Sequence, residues 1–417
     1  MRVSDGQILL TFDSDTADGQ LRLLSLFSGC GGMDIGFEGG FLAPRKSFPC
    51  GLDRYVEREV GGDWILLKRT RFRTVFANDI LPEAQLVWAS FMSRFGHEAE
   101  TYRLGSIVDL VRLHEGGAKV FPEGIDIVTG GFPCQDFSVA GKRMGFQSLK
   151  DDWGKRHPCS DRPEVSRGTL YQWMREVVSI VKPKVFIAEN VKGLVNLGEA
   201  KDIIQRDFQT AAQGGYIVLP PRVLDAAQYG VPERRERVIF IGIRRDALLP
   251  EALKALSQPS VSSDYDPYPS PTHSQTTYVT AGDVLSHLTE PEESDDPSQQ
   301  TFSRAKFLPK GQGQREIQLD SPAPTIRSEH HGNIEYRRLS LPHGGRHAEE
   351  LAQGLPERRL TPRECALLQT FPPDFPLVEP GRLSASAAYK LVGNAVPPVL
   401  AFRIATRFEE LWQRLFF

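Results

Sequence analysis

The side chain in this sequence most suited to covalent chemistry is the cysteine at position 134. It follows a strand-like apolar run at 125–128, a glycine pair and Pro133, and a polar Gln-Asp-x-Ser segment comes after it. Because proline fixes its own φ and favours extended backbone in the residue before it, the thiol is presented on a stiff support. A lone cysteine is more often a small buried hydrophobe, but the polar residues that follow argue against burial. We therefore predict that Cys134 is a nucleophile.

A carboxyl group at Glu189 is predicted to assist that thiol. The pattern of apolar residues predicts a helix over 166–182, and an apolar strand over 184–188 ends just before Glu189. In an open α/β sheet, ligands bind at the carboxyl ends of the strands, where the ends of neighbouring strands meet. A Gly-x-Pro turn at 230–232 then leads through Arg234, Arg235 and Arg237 into a strand over 238–243. This arrangement favours binding of a phosphate or a carboxylate at the same edge.

A second ligand site is predicted near the start of the chain. The apolar run 21–27 leads into Ser-Gly-Cys-Gly-Gly at 28–32 and a helix start, and such turns let the backbone approach a nucleotide-like ligand closely. The spacing differs from Gly-x-Gly-x-x-Gly, which weakens a dehydrogenase interpretation. Asp79 follows a strand predicted over 73–77, where it is suited either to bond ribose hydroxyls or to cap the helix predicted over 82–95. A third strand is predicted over 104–107, and 43–72 has the mixed charge of an insertion.

Length and composition set the limits of these interpretations. A chain of 417 residues has room for one large domain and a smaller one. Its apolar runs are too short to span a bilayer and its N-terminus lacks a signal pattern, so we expect a cytoplasmic protein without a membrane partner. The five cysteines are scattered without a Cys-x-x-Cys pair, which predicts reduced thiols and no metal site. The net charge of −3 gives no sign of nucleic-acid binding, and each local run of arginines is by itself more often a solvated face.

The chain divides into three parts by the character of its patterns. Regular strand and helix patterns occupy 1–245, interrupted by a long polar stretch at 139–167 that is typical of a functional lid or a disordered loop. From 246 to 383, serine, proline and turn residues separate short strand-like pieces. Helical patterns return at 384–391 and 399–415. We predict a catalytic domain over 1–245 that is completed by helices in 384–417, with an irregular, smaller domain over 246–383 between them.

Six motifs in a fixed order resemble those of the DNA (cytosine-5)-methyltransferases of bacterial restriction-modification systems. They are Leu-Phe-Ser-Gly-Cys-Gly-Gly at 26–32, Gly-Phe-Pro-Cys-Gln at 131–135, Glu-Asn-Val at 189–191, Gln-Tyr-Gly-Val-Pro with Arg-Glu-Arg at 228–237, Arg-Leu-Thr-Pro-Arg-Glu-Cys at 359–365 and Gly-Asn-Ala-Val at 393–396. The resemblance spans nearly the whole chain. It implies a Rossmann-like α/β sheet that binds S-adenosylmethionine and releases S-adenosylhomocysteine, together with a smaller, irregular target-recognition domain over 246–383.

The resemblance also implies roles for individual residues. Cys134 aligns with the nucleophile, Glu189 with the carboxyl that contacts cytosine N3, and Arg235 and Arg237 with arginines of the active-site pocket. A positive neighbour such as Arg235 favours the thiolate. The positions implied for the cofactor are Phe27, Ser28, Gly29, Cys30, Gly31, Gly32, Asp79, Ile80, Ser106, Ile107, Pro133, Leu170, Asn394 and Ala395. Ser106 replaces the aspartate usual in the family and Ala395 a common serine, which softens the cofactor contacts without removing the pocket.

The reaction implied by the resemblance acts on a cytosine that is flipped out of duplex DNA. The residues implied to contact DNA are Gln135, Ser138, Lys142 and Arg143 in the loop after the nucleophile, and Arg327, His330 and Asn333 in the recognition domain. The expected partners are double-stranded DNA and, functionally, a cognate restriction endonuclease from which host DNA is protected without a stable protein complex. We expect a monomer that associates with the nucleoid through DNA.

Three other functions fit part of the pattern. A tRNA cytosine-5 methyltransferase shares the catalytic motifs, but that subfamily usually has Pro-Pro-Cys-Gln where this chain has Phe-Pro-Cys-Gln at 132–135, and its Cys-Phe-Thr signature is absent from this sequence. A catalytically inactive DNA-binding relative is disfavoured by the intact Cys134, Glu189 and Arg235. A cysteine hydrolase on a similar sheet would need a histidine to activate the thiol, and none lies within the six motifs.

Overall fold

The computed structural model describes residues 19–133, 170–196, 200–309, 314–328 and 335–417. Within these ranges the strands are β1 (Leu21–Leu26), β2 (Leu42–Pro44), β3 (Val56–Gly61), β4 (Trp64–Leu67), β5 (Phe72–Asp79), β6 (Tyr102–Leu104), β7 (Ile127–Gly131), β8 (Val185–Val191), β9 (Tyr216–Val218), β10 (Arg222–Asp225), β11 (Glu236–Arg244), β12 (Tyr336–Arg338) and β13 (Arg358–Arg359). The helices are α1 (Gly32–Glu38), α2 (Pro82–Met92), α3 (Ile107–Glu115), α4 (Leu170–Val181), α5 (Ala200–Gln209), α6 (Pro250–Leu256), α7 (Ala281–Leu285), α8 (Pro297–Gln300), α9 (Ala348–Ala352), α10 (Pro362–Leu368), α11 (Ala385–Asn394) and α12 (Pro398–Leu415).

A mostly parallel sheet of eight strands forms the centre of the molecule. Its order is β10-β11-β8-β7-β1-β5-β6, and β9 pairs with the C-terminal part of β11. The strands β6, β5, β1, β7 and β8 run parallel, whereas β11 is antiparallel to β8. Parallel neighbours require crossover connections, and α1 to α4 lie on these connections between β1 and β8. The predicted Rossmann-like α/β sheet is confirmed.

Helices cover both faces of the sheet, which explains why its strands are apolar along most of their length. On one face α3, α4 and α5 pack through residues such as Val111, Met174 and Phe208. On the other face α1, α2 and α12 pack against the sheet. Helix α12 lies directly against α1, where a Cβ at Gly36 would be 2.4 Å from the Cβ of Ala401. None of the helices in the described ranges is both long and apolar enough to cross a bilayer.

Two predicted elements differ from the structure. Strand β6 ends at Leu104, earlier than predicted, because Ser106 caps α3: its Oγ accepts a hydrogen bond from the backbone N–H of Val108 at 3.3 Å. Residues 43–72, which the sequence marks as an insertion of mixed charge without assigning elements to it, contain a three-stranded antiparallel sheet of β2, β3 and β4. The pattern of apolar residues did not indicate this sheet, because β3 is mostly exposed and its charged side chains face solvent.

The segment predicted as a separate domain, 246–383, shares the main hydrophobic core. Ala281 and Val284 of α7, and Leu367 and Phe371 at the end of α10, belong to the same buried cluster as α1 and α12. Between α7 and α10 the described elements are short: α8, β12, α9 and β13 have five residues or fewer. The core therefore continues across both proposed boundaries, and the three-part division stays a prediction.

Candidate active site

The carboxyl ends of β1, β5, β7 and β8 open onto one cavity of about 650 Å³. Strand β1 lies between β5 and β7, so the order of the chain reverses here, and such reversals create ligand crevices in α/β sheets. Residues 325–328 and the end of α11 form other parts of its wall. Many of the predicted site residues line it: Phe27, Ser28, Gly29, Gly32, Asp79, Ile80, Ile107, Pro133, Leu170, Glu189, Arg237, Arg327, Asn394 and Ala395.

A buried ion pair joins Glu189 and Arg237 in this wall. The Oε1 of Glu189 lies 2.8 Å from the Nε of Arg237. Glu189 pairs in register with Gly131 of β7, and a Cβ at Gly131 would be only 2.8 Å from Oε2 of Glu189, so glycine makes room for the carboxyl. Burial raises the pKa of Glu189, although the positive charges of Arg237 and then Arg235 oppose the rise. The carboxyl therefore takes up a proton more readily than an ordinary glutamate.

Asn190, which sequence reasoning did not single out, fixes the backbone just before the predicted nucleophile. Its Nδ2 donates to the carbonyl oxygen of Phe132 at 3.2 Å, and its Oδ1 accepts from the N–H of Val191 at 2.8 Å. The Glu-Asn-Val motif contained the signal for this role, since the amide follows the acid directly. Lys390, an exposed residue of α11, is a second lining residue that the sequence did not indicate.

Seven predicted site residues lie outside the described ranges. They are Cys134, Gln135, Ser138, Lys142, Arg143, His330 and Asn333. Their roles stay predictions. The residue before the nucleophile, Pro133, is described and lines the cavity.

The glycine-rich turn after β1 has the conformation of a ligand-binding loop. Phe27 and Gly29 both have a φ of 53°, in the left-handed region that favours glycine. The Oγ of Ser28 donates to Ser25 Oγ at 2.9 Å and accepts from the N–H of Asn78 at 3.2 Å, which ties the turn to β1 and β5. A Cβ at Gly32 would lie 2.3 Å from the carbonyl oxygen of Val396, so the turn also packs tightly against the segment after α11.

Asp79 ties the glycine-rich turn to the segment that leads into α2, while the ribose contact stays a prediction. Its Oδ2 accepts from the N–H of Gly29 at 3.0 Å, and its Oδ1 accepts from the N–H groups of Ile80 at 2.7 Å and Leu81 at 3.1 Å, at the entry to α2. Burial raises the pKa of Asp79, while these backbone donors and Lys390 oppose the rise. A carboxylate offers about four lone-pair positions, and three are used by backbone donors, so one acceptor position remains on Oδ2.

Three further predicted cofactor residues do not line the cavity but support its walls. Gly31 precedes α1 with a φ of 90°, a conformation that favours glycine. Cys30 is buried, its thiol donates to the carbonyl oxygen of Leu391 at 3.7 Å, and burial raises the thiol's pKa far above its usual range. Ser106 caps α3, as described above.

Arg235 is also absent from the cavity surface. The resemblance implies a place in the active-site pocket for Arg235, but its side chain is fully buried and donates to the carbonyl oxygens of Ile326, Gly393 and Ala395 at 2.8, 2.7 and 2.8 Å. These carbonyls belong to two segments of the cavity wall, and the buried Arg235 guanidinium supplies their hydrogen-bond donors. Of the two arginines, Arg237 is the one that contacts Glu189.

The sequence model of the family described as C-5 cytosine-specific DNA methylase matches residues 58–410. The chain belongs to this family. It is a DNA (cytosine-5)-methyltransferase, as the order of its motifs predicted. Two similar curated proteins are the Type II methyltransferases M.NgoFVII of Neisseria gonorrhoeae, 28% identical over 398 residues that cover 90% of this chain and 83% of that protein, and M.BsuRI of Bacillus subtilis, 28% identical over 423 residues that cover 97% and 82%.

A solved structure shows that the fold is shared more widely. The S. pombe Dnmt2 methyltransferase superposes on this methylase with a TM-score of 0.52 over 94% of this chain and 99% of that chain, at 17% sequence identity. At that identity the likeness concerns the fold alone.

The family and its fold imply S-adenosylmethionine as the methyl donor, and the cavity residues fit this molecule. Phe27 and Ile80 offer apolar surface to an adenine ring. The remaining acceptor position on Asp79 suits a ribose hydroxyl. A Cβ at Gly29 would meet no atom within 4 Å, so the turn borders open space where a ligand can approach the backbone.

Proposed function

We propose that this methylase transfers a methyl group from S-adenosylmethionine to C5 of a cytosine flipped out of duplex DNA, by way of a covalent bond between Cys134 Sγ and C6. The observation that carries the proposal is the buried Glu189–Arg237 pair in the cavity wall beside Gly131. This pair offers a carboxyl and a guanidinium to one edge of a planar base. Pro133 belongs to the same wall, and Cys134 is the next residue in the chain.

The chemistry begins with the thiolate of Cys134, because C5 of cytosine is a weak nucleophile while the ring is aromatic. An ordinary cysteine thiol has a pKa of about 8.5, so only a few per cent is ionised at neutral pH. The Sγ–C6 bond forms with the electron pair of the thiolate, and the C5–C6 π electrons move towards C5 and N3. S-adenosylmethionine, when bound, would supply the methyl group: C5 forms its new bond to the methyl carbon as the bond from that carbon to the sulfonium sulfur breaks, and S-adenosylhomocysteine leaves. A base, for which water suffices, then removes the C5 proton, the C5–C6 double bond re-forms, and the thiolate leaves.

Glu189 neutralises the negative charge that develops on the cytosine ring while Cys134 adds to C6. Its raised pKa keeps a larger protonated fraction than an ordinary glutamate has, and this proton is donated to N3 when electrons move there. When the thiolate leaves, the proton returns from N3 to the carboxylate. Arg237 holds the carboxyl at 2.8 Å and keeps its orientation fixed throughout.

The family indicates DNA as the substrate, and the position of the cavity requires the target base to leave the duplex. A cytosine inside a duplex cannot reach a cavity at the edge of a sheet, so the base must be flipped, which costs a few kcal/mol. Arg327 lines the cavity and is available for the nucleotide or its phosphate. The similar proteins M.NgoFVII and M.BsuRI are Type II methyltransferases. By this likeness, the proposed biological role is protection of host DNA from a cognate restriction endonuclease.

The test combines substitution with trapping. Bisulfite sequencing of DNA from cells that express the methylase identifies the target, and a duplex with 5-fluorocytosine at that position should form an adduct stable in SDS, because the C5 fluorine cannot be removed as a proton. Cys134→Ala should lose both methylation and the adduct while it still binds DNA.

The exposed Cys50 provides the matched control, since Cys50→Ser changes a thiol outside the cavity lining. It should retain both activities. Turnover by Cys134→Ala would contradict the covalent mechanism. Methyl transfer to total RNA with none to duplex DNA would contradict the substrate and favour the alternative of a tRNA methyltransferase.

A further inference from the structure

Arg235 connects two separate segments of the cavity wall from behind. We define the cofactor wall as residues 393–396 and the target wall as residues 325–328; both line the cavity. The Nη1 of Arg235 donates to Ile326 O in the target wall at 2.8 Å, and its Nη2 donates to Gly393 O and Ala395 O in the cofactor wall at 2.7 and 2.8 Å. One buried guanidinium therefore bonds to both walls at once.

The target wall has further bonds to the chain around Arg235. The backbone N–H of Arg234 donates to Ala323 O at 2.7 Å, and Thr325 Oγ1 donates to Arg234 O at 2.6 Å. The carboxylate of Glu233, itself buried, accepts from the N–H of Ile326 at 2.5 Å. Residues 323–326 thus run alongside 232–235 and have a defined position before any ligand binds.

The two walls also touch each other directly. A Cβ added at Gly393 would lie 2.3 Å from the carbonyl carbon of Arg327 and from the amide nitrogen of Ser328. The absence of a side chain at 393 lets the cofactor wall approach the backbone that carries Arg327. A small shift of either wall would therefore move the other.

We propose that Arg235 is a positioning residue that sets the spacing between the cofactor wall and the target wall, and so supports the binding of both substrates without contacting either. This inference rests on the proposed function, because it takes S-adenosylmethionine and the target nucleotide as the ligands of the two walls. A planar guanidinium can donate in several directions in one plane, whereas a lysine ammonium is a single point on a flexible stem. The contact between the two walls therefore depends on the shape of the arginine side chain as well as on its charge.

The sequence-based role for Arg235 leads to a different expectation. If its positive charge activated the thiolate, Arg235→Gln would mainly lower kcat and shift the acidic limb of the pH–rate profile. The positioning role requires instead that the KM for S-adenosylmethionine and the KM for DNA both rise, by about tenfold or more, with a smaller change in kcat and an unchanged acidic limb. Steady-state kinetics of Arg235→Gln from pH 6 to 9 separate the two outcomes.

Arg235→Lys sharpens the test because it keeps the charge. The positioning role predicts that this variant still binds S-adenosylhomocysteine and DNA at least about tenfold more weakly than the unmodified protein, measured by calorimetry and by gel shift. Added guanidinium should partly restore binding to Arg235→Ala, since it fills the vacated position. Calorimetry does not depend on turnover, so a failure of the proposed reaction would leave this result interpretable.

Arg414→Gln is the matched control. Arg414 is exposed in the last turn of α12, and its guanidinium contacts Asp264 instead of the walls. It should bind S-adenosylhomocysteine and DNA within about twofold of the unmodified protein. Should Arg235→Gln fail to fold, Arg235→Lys carries the test. Binding of both ligands by Arg235→Lys at unmodified strength would overturn the inference.

Discussion

Two regions that contribute to the cavity wall, the central sheet and the segment that contains residues 325–328, are built by different physical means. On the sheet side, the position of Glu189 follows from strand pairing: β8 lies between β7 and β11, and the strand is buried almost throughout. The energy that fixes this side is mainly apolar burial. The Glu189 carboxyl is held because the strands beneath it can pair in only one register without turning their apolar side chains outward.

In the second region, which we call the recognition side after the role that the resemblance implies, the described residues between 290 and 364 include a partly buried network of charges. Six side chains form an alternating chain of ion pairs, each 2.7–2.9 Å long, in the order Glu364, Arg358, Glu290, Arg338, Glu350 and Arg337. Burial raises the cost of the Glu290 charge, but hydrogen bonds from Arg358 and Arg338 hold its pKa below the usual range. The elements that carry these arginines, β12 and β13, have only three and two residues.

This contrast indicates how each side responds to substitution. An apolar strand loses stability in proportion to the volume removed, and neighbouring side chains absorb part of the change. A buried ion pair that loses one partner leaves an uncompensated charge, which is strongly destabilising. A polar substitution on the sheet side should therefore mainly reduce the rate of catalysis, whereas one on the recognition side should mainly reduce stability.

The largest effect is expected at Glu189, on the sheet side. Glu189→Gln keeps the shape of the side chain but cannot give a proton to N3, so kcat should fall about 100- to 1,000-fold. In the unmodified enzyme the rate should also decrease as the pH rises through the raised pKa of Glu189, because the protonated carboxyl is then lost. Gln does not titrate, so this falling limb should be absent from the pH–rate profile of the variant.

Glu251→Gln is the control for that experiment, because Glu251 is an exposed residue in the first turn of α6. It should keep the full rate and the falling limb. A Glu189→Gln enzyme that retains both would mean that the carboxyl does not take part in proton transfer.

The strands and the acid at the sheet edge could be predicted from the sequence, because apolar runs and chain order determine them. The respective roles of Arg235 and Arg237 could not. Strand β11 begins at Glu236, so Arg235 precedes the strand and its alternating pattern does not apply. Its direction depends on carbonyls at 326, 393 and 395, which are distant in sequence and leave no local signal. The ion-pair chain could not be predicted either, because charged residues that follow no period are usually solvated.

The next effect is expected in the ion-pair chain. Glu290→Gln removes the charge between Arg338 and Arg358 and should lower the free energy of unfolding by about 3 kcal/mol, because both arginines stay buried and each keeps only one of its two carboxylate partners. Urea denaturation measures the loss, and amide hydrogen exchange should accelerate in β12 and β13 before β8 and β11. Glu349→Gln, at an exposed position of α9, should change stability by less than about 0.5 kcal/mol. Equal acceleration in β8 would contradict the division into two differently built sides.

The smallest effect concerns Asp34, a buried charge on the sheet side. Its Oδ2 accepts from the indole N–H of Trp88 at 2.6 Å, and burial, with the nearby Glu38, raises its pKa to about 7. In the unfolded chain this carboxyl has its ordinary pKa near 3.8. The stability linked to Asp34 is therefore fully present below pH 3.8, decreases as the pH rises towards 7, and stays lost above that value.

Asp34→Asn should remove this pH dependence, since the amide oxygen can still accept from Trp88 but cannot ionise. A difference of three pKa units corresponds to at most about 4 kcal/mol, and partial relaxation of the site reduces the expected gain at pH 8 to about 2 kcal/mol. At pH 5 the gain should be about half as large or less, because ionisation of Asp34 has by then given the unfolded chain only part of its free-energy advantage. Urea denaturation at both pH values measures the difference, with the exposed Asp264→Asn as control. A gain equal at both pH values would mean that Asp34 acts through packing, whereas no gain would mean that its charge is already compensated, as in the ion-pair chain of the recognition side.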